Sequence, residues 1–200
     1  MADFRILTVC SGNICRSPMA EQLLRAGLSA YPGITVTSAG TVGLVGEPMD
    51  QRAVNLAVSF GVTDAADHVA RELNEQQIRE ADVVFAMSRE HRRAIVQLHP
   101  RASRYTFTIR EFARIAAEIT DADLTDAALL PREDVVGRFA AAVEATASLR
   151  GMVTPLQNAD DDDVVDPYRR SDDVYTLSGQ QLLPAVQGAL TLFNRAATAA

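Results

Sequence analysis

"LTVCSGNICRSPMAEQLL", residues 7–24, begins as a buried strand and ends as a helix. Its apolar start extends FRILTV (4–9), a short run of the kind that lies covered on both faces of a sheet. Its end shows helical spacing at Met19, Leu23, Leu24, Gly27 and Leu28, with Ser17 a good N-cap and Pro18 suited to the first helical position. Between the two lie Cys10, Ser11, Gly12, Asn13, Ile14, Cys15 and Arg16. A structural cysteine at a strand end has no need of such a sequel.

A strand that enters a helix through so short a loop must curl around a point just above the helix N-terminus. Amides of the loop converge on that point, and the helix end adds partial positive charge. The result is an anion site of about phosphate size. Gly12 and Asn13 are residue types that tolerate the positive φ such a curl demands. Arg16 adds a planar fork that grips two phosphate oxygens at once. The same positive field helps to make Cys10 a nucleophile, and the Ser17 hydroxyl can donate to its sulfur. Cysteine and arginine six positions apart thus set a nucleophile at the base of a cradle and a clamp at its far side.

Working outward, strands alternate with helices. ITVTS (34–38) reads as a second strand closed by Ala39-Gly40, DVVFAMS supplies a third at 83–87, and RYTFT (104–108) a fourth. A helix starts near Asp50 and is stopped by Gly61. Asn74 with Gln77, and Thr108 with Glu111, have capping-box spacing, and Ser88 caps a helix that ends near His99 before Pro100. The pattern predicts an α/β fold of three layers, doubly wound, around a mostly parallel four-stranded sheet, with the phosphate-binding loop after the first strand. Ligands in such sheets sit at the carboxyl ends of strands, where Cys10 falls. PREDVVGRFAAAVEATASLRG (131–151) reads as a helix, NADDDDVV (158–165) as a solvated acidic loop, and the last segment as a helix that Pro184 should kink or break. With no repeat and no linker, residues 1–200 read as one domain with an enlarged region at about 111–163.

The bulk numbers set limits. A chain of 200 residues with 48% hydrophobic and 22% charged residues is an ordinary globular composition. A net charge of −7 argues against nucleic acid as a partner. Every basic side chain is Arg, as a GC-rich codon usage would give. No apolar run reaches the length of a membrane span, and MADFRILTV lacks the build of a secretory signal, so a cytoplasmic location is expected. Cys10 and Cys15 are too few for a disulfide scaffold, and His68, His91 and His99 show no ligand spacing, so no metal is expected. The chemistry needs no cofactor. It does need a proton donor for a leaving oxygen, and Asp166 in VVDPYRR stands before Pro167, which holds it out of helix in a stiff loop.

CSGNICRSP (10–18), SAGT (38–41), DHVAREL (67–73), FAMSRE (85–90) and DPY (166–168) together resemble the low-molecular-weight protein tyrosine phosphatase family. The resemblance runs over residues 4–110 and again over 164–195. It implies that Cys10 attacks phosphorus to form a cysteinyl-phosphate. Arg16 and the amides of Ser11, Gly12, Asn13, Ile14, Cys15, Arg16 and Ser17 would hold the phosphoryl oxygens. Asp166 would protonate the leaving phenol and then serve as base for water. It further implies that Asn13, Ser38 and His68 hold the loop's shape, that Leu44 and Tyr168 line the substrate cleft, and that Cys15 is a redox partner able to trap Cys10 as a disulfide.

Three positions depart from the family pattern. Leu44 stands where an aromatic residue is common, Arg169 follows Tyr168 in place of a second tyrosine, and Met87-Ser88 replaces Met-Asp. These changes touch the cleft and leave the phosphate chemistry alone. The implied substrate is a phosphotyrosine protein, with a bacterial tyrosine kinase and its targets as the counterpart. Two other readings stay open: an arsenate reductase served by a small thiol, and a phosphopeptide-binding regulator with weak catalysis.

Overall fold

Strand β1 (Phe4–Cys10) lies inside the sheet between two neighbours and is buried at every position but Arg5. The computed structural model describes residues 3–200. Strands β2 (Ile34–Gly40), β3 (Val83–Ala86) and β4 (Thr106–Thr108) complete a four-stranded sheet in the order β2-β1-β3-β4. All neighbours pair in parallel, with Cys10 level with Gly40 across the β1–β2 ladder. The sheet is therefore wholly parallel, and it switches direction of winding at β1, where the loop emerges.

Alternate residues of β1 feed two cores. Phe4, Ile6 and Cys10 point with Phe85 and Phe107 into the larger one, shared with α1 (Arg16–Gly27), α2 (Gln51–Ser59), α5 (Ile109–Glu118), α7 (Val135–Leu149) and α8 (Asp172–Thr198). Leu7 and Val9 join Val84, Ala86, Ile78 and Ile95 under α3 (Glu75–Glu80) and α4 (Arg89–Leu98). The larger core is organised by phenylalanines. Phe139 stacks on Phe193 at 4.7 Å between centroids, Phe4 meets both edge-on, and Phe112 bridges Phe85 and Phe107. Helix α7, from the enlarged region, thus packs into the same core as β1. Arg138 on α7 is buried and spends its guanidinium on the carbonyls of Ala196, Ala197 and Ala199 at the end of α8 and on Leu130 and Pro131. These bonds satisfy carbonyls that a helix C-terminus leaves open.

Both capping boxes form, at Asn74/Gln77 and at Thr108/Glu111, and Ser88 caps α4. Gly61 follows α2 with φ +91°, the left-handed stop expected of it. Helix α6 (Thr125–Leu129) is a short addition before α7. Three local expectations are corrected. Helix α1 starts at Arg16 with Cys15 at the N-cap position, so Ser17 lies in the first turn and its hydroxyl serves the loop instead. Helix α8 runs unbroken through Pro184. Pro184 and Gln180 both face solvent, so the Gln180 carbonyl that proline leaves without an N–H partner can be hydrated. The acidic run is not a free solvated loop: Asp162 pairs with Arg114 at 2.9 Å, Asp160 with Arg89, and Asp163 accepts from the Arg89 amide at 2.7 Å. Among the described residues, no helix is long and apolar enough to cross a membrane.

Candidate active site

The loop between β1 and α1 has a simple polarity. Its carbonyls face outward and all are occupied. Cys10 O accepts from Thr41 N at 2.9 Å, Ser11 O from Val42 N at 3.0 Å, and Gly12 O from Leu44 N at 3.1 Å. Asn13 O accepts from His68 Nε2 at 2.7 Å, and Ile14 O from Asp50 N at 2.8 Å. The amides of Ser11 to Cys15 donate to no protein group among the described residues. With every carbonyl turned out, the amides turn in, over the Cys10 sulfur and against the positive end of α1. The loop thus offers an anion a ring of unspent amides.

One residue in the left-handed region closes the curl. Asn13 has φ +57°, while Gly12 does not adopt a positive φ. Of the two residue types suited to the curl, Asn13 is the one used, because one reversal suffices. Asn13 is fully buried and its side chain is saturated. Nδ2 donates to Ser17 Oγ at 2.9 Å and to Ser38 Oγ at 2.8 Å, and Oδ1 accepts from Arg71 N at 2.9 Å. Ser38 in turn donates to Glu21 Oε2 at 2.5 Å, and Glu21, itself buried, pairs with Arg25 at 2.9 Å. Gly40 makes room on the other side: a Cβ there would come within 2.4 Å of Ser11 O, a backbone atom that cannot yield. Ser38 and His68, the two residues expected to support the loop, both bond to Asn13. Burial holds His68 below the usual histidine range, so it is neutral and donates from Nε2.

Cys10 lies under this loop with Ser17 Oγ 3.0 Å from its sulfur. Since Asn13 Nδ2 donates to Ser17 Oγ, the serine's own proton points to an acceptor, with the sulfur at 3.0 Å and Ala39 O at 3.4 Å both in reach. Cys15, also buried, is pushed up to about 12, first by burial and then by the neighbouring Cys10. It stays a thiol at neutral pH. Both cysteines are free.

Arg16 is 4% exposed. Its Nη1 donates to Val164 O at 3.0 Å, and Nη2 meets Asp166 Oδ2 at 2.8 Å and Ser11 Oγ at 3.4 Å. Its buried Nε has no partner among the described residues. A guanidinium held on one edge by the protein and open at Nε beside inward amides suits an oxyanion. Cys10, Ser11, Gly12, Ile14, Cys15, Arg16, Asp166 and Tyr168 line one narrow cavity of about 40 Å³. Asp166 and Tyr168 therefore join the loop across more than a hundred residues of chain. Leu44 stands at the rim, against Gly12, and Arg169 covers one face of the Tyr168 ring at 5.0 Å. A larger concavity, of about 740 Å³, lies at the other end of the sheet, beside Asp82 and Tyr105 before β3 and β4, and has no cysteine in its lining.

The segment carrying Asp166 is held at several points. Val164 N donates to Met87 O at 2.8 Å, Val165 N to Gln181 Oε1 at 2.8 Å, and Tyr168 N to Asp166 Oδ1 at 3.1 Å. The acidic run just before it is strapped to α4 and α5 by Arg89, Arg114 and Arg110, the last donating to Asp163 O at 2.7 Å. Sequence reading misses this strap, and with it Glu21, Gln181, Ser88 and His91. The capping role of Ser88 is legible; the strap is a long-range pairing that no local spacing announces.

Comparison with known proteins gives the family and the fold. Residues 5–145 match the family model described as low molecular weight phosphotyrosine protein phosphatase. The chain is 40% identical over 104 residues to the low molecular weight protein-tyrosine-phosphatase Ptp of Acinetobacter johnsonii, a match that covers 52% of this chain and 70% of that one. The crystal structure of the Erwinia amylovora tyrosine phosphatase amsI superposes with a TM-score of 0.65 at 25% identity, over 96% of this chain and 93% of that chain. The YwlE arginine phosphatase of Geobacillus stearothermophilus superposes with a TM-score of 0.64 at 25% identity, over 94% of this chain and 91% of that chain.

Proposed function

The chain belongs to the low molecular weight phosphotyrosine protein phosphatase family, and we propose that it hydrolyses phosphotyrosine in proteins through a cysteinyl-phosphate on Cys10. The observation that carries the reading is the loop whose carbonyls are all bonded outward while its amides stay free around a buried cysteine and the open Nε of Arg16. Phosphate binds the inward amides and the Arg16 fork. The Cys10 sulfur attacks phosphorus in line, an S–P bond forms, and the bond to the tyrosyl oxygen breaks. Asp166 gives its proton to that oxygen. A water then attacks the phosphocysteine, Asp166 takes the water's proton, and orthophosphate leaves with the thiolate restored. Phosphate competes for Arg16 Nη2, which frees the Asp166 carboxyl to face the leaving oxygen.

Substrate class follows from the walls. Ile14, Tyr168 and the rim residue Leu44 offer apolar and aromatic surface to a flat ring. An aryl phosphate fits that lining better than a phosphorylated guanidinium. Residues 1–200 act as one catalytic domain, and the substrates are proteins modified by a bacterial tyrosine kinase, in keeping with bacterial relatives named as tyrosine phosphatases. The redox pairing of Cys15 with Cys10 belongs to the same proposal.

The test is hydrolysis of p-nitrophenyl phosphate and of phosphotyrosine and phosphoarginine peptides by wild type and Cys10→Ser near pH 6 under reducing conditions. Turnover of the aryl substrates that vanishes in Cys10→Ser is expected, with orthophosphate affinity kept because the cradle survives. Preference for phosphoarginine, or oxidation of a small thiol by arsenate with no aryl turnover, would overturn the substrate reading.

A further inference from the structure

His91 is an ionisable side chain that the mechanism above leaves unused. It is buried beneath the loop, with Nδ1 2.8 Å from Ser88 Oγ and Nε2 2.9 Å from Ser11 Oγ. Hydrogen-bond counting fixes the direction of this chain. Ser88 Oγ accepts the His91 backbone N–H at 3.3 Å as the cap of α4. Its one proton finds a single acceptor among the described residues, His91 Nδ1. The ring proton therefore sits on Nε2 and is donated to Ser11 Oγ. Arg16 Nη2 is a second donor to the same oxygen, at 3.4 Å.

Ser11 Oγ thus receives two donors on its acceptor side. Its own proton has no acceptor among the described residues, and Ser11 lines the cavity with Cys10, Arg16 and Asp166. Arg16 Nη2, which touches Ser11 Oγ, also touches Asp166 Oδ2, so the hydroxyl stands on the Asp166 side of the cradle.

We propose that Ser11 is a catalytic residue whose hydroxyl donates to the phosphoryl group beside Asp166, and that His91 is a positioning residue which, held by Ser88, turns that hydroxyl toward it. The inference rests on the phosphate-binding reading of the loop and adds a side-chain donor to its amides. Burial, aided by the Arg16 charge, holds His91 down to about 4, which keeps the ring a neutral, one-way donor at working pH. In the loose, metaphosphate-like transition state charge is spread over the three equatorial oxygens, and a bond from Ser11 to one of them positions the phosphoryl group for in-line transfer, so its loss falls on kcat as well as on binding.

The experiment joins kinetics, phosphate binding and NMR. Ser11→Ala should weaken orthophosphate by about tenfold, the worth of one hydrogen bond to a charged group. It should lower kcat by a comparable factor, with Ser11→Thr restoring most of both. His91→Leu should cost the same as Ser11→Ala, and the double variant no more than either alone. Since His91 is buried, His91→Leu could fold poorly, so the tautomer is read directly on wild type from imidazole 15N shifts. Nε2–H is expected. A ring protonated on Nδ1, an unchanged phosphate affinity in Ser11→Ala, or additive losses in the double variant would each overturn the proposal. Phosphate binding and the tautomer need no turnover. An enzyme inert toward aryl phosphates would therefore refute the substrate reading and leave this one standing or falling on its own data.

Discussion

Replacing Asn13 by alanine tests whether the loop is held by its own side-chain network. The substitution removes three hydrogen bonds, to Ser17, to Ser38 and from the Arg71 amide. At about 1 kcal/mol each they amount to about 3 kcal/mol. Alanine at φ +57° adds about 1 kcal/mol, since it lacks the local polar contacts that let asparagine occupy the left-handed region. The expected loss, about 4 kcal/mol, is a large part of the roughly 5–15 kcal/mol by which a folded domain is typically stable. Asn13→Gly loses the same bonds without the φ penalty and should cost about 3 kcal/mol, with more activity kept because the curl itself is preserved. Urea unfolding followed by far-UV circular dichroism gives both numbers, and phosphate affinity reports the loop. An Asn13→Ala loss below about 1 kcal/mol, or a glycine variant worse than alanine, would refute the idea that this network sets the loop.

Three further outcomes are expected. Asp166→Asn should slow hydrolysis of phenyl phosphate by about 10²–10⁴-fold and of p-nitrophenyl phosphate far less, because a good leaving group needs no proton; equal losses would remove Asp166 from the proton-donor role. Arg138→Met should lower stability by about 3 kcal/mol or more, since it leaves the carbonyls at the end of α8 unpaired, while kcat at about 25 °C stays near wild type; unchanged urea midpoints would contradict this. His91, held down to about 4 in the fold, binds its proton more readily in the unfolded chain. Its contribution is therefore complete above about pH 6.5 and is lost as pH falls toward 4, by about 3 kcal/mol in all. His91→Gln should flatten that part of the stability–pH curve, and an unaltered slope would argue that the ring is not held neutral.

What is legible in the sequence is what is local. Cys10, Asn13 and Arg16 lie close together in the chain, so the cradle is readable from their spacing, although Ser38, His68 and Arg71, which hold its shape, come from elsewhere. Asn74 with Gln77, Thr108 with Glu111, and Ser88 at its cap are three-residue devices and appear where their spacing puts them. Ser17 is misplaced by sequence reading because a serine before Pro18 satisfies the capping rule as well as it satisfies the sulfur. The tertiary demand of Cys10 and Asn13 decides between the two. Pro184 reads as a break because the sequence does not show which face of α8 meets water. His91 looks inert because its partners are set by the fold: Ser11 is eighty positions away and only the parallel pairing of β1 with β3 brings them together.

The acidic run shows how charge can be misread. Four aspartates in a row predict a solvated segment, and Asp161 is exposed. Yet the run lies between the enlarged region and the loop that carries Asp166, and it faces arginines on two helices. Asp162 is 15% exposed in its pair with Arg114, and Asp163 takes both the Arg89 amide and, through its carbonyl, Arg110. Each such pair near the surface is worth little alone. Their effect is geometric. They end one residue before Val164, whose amide bonds Met87 at the end of β3 and whose carbonyl holds Arg16. Val164 is therefore a shared anchor. In the proposed mechanism the guanidinium that grips phosphate and the loop that delivers the proton are thus referred to the same residue's backbone, so Arg16 and Asp166 keep their spacing although one comes from the first helix and the other from the approach to the last.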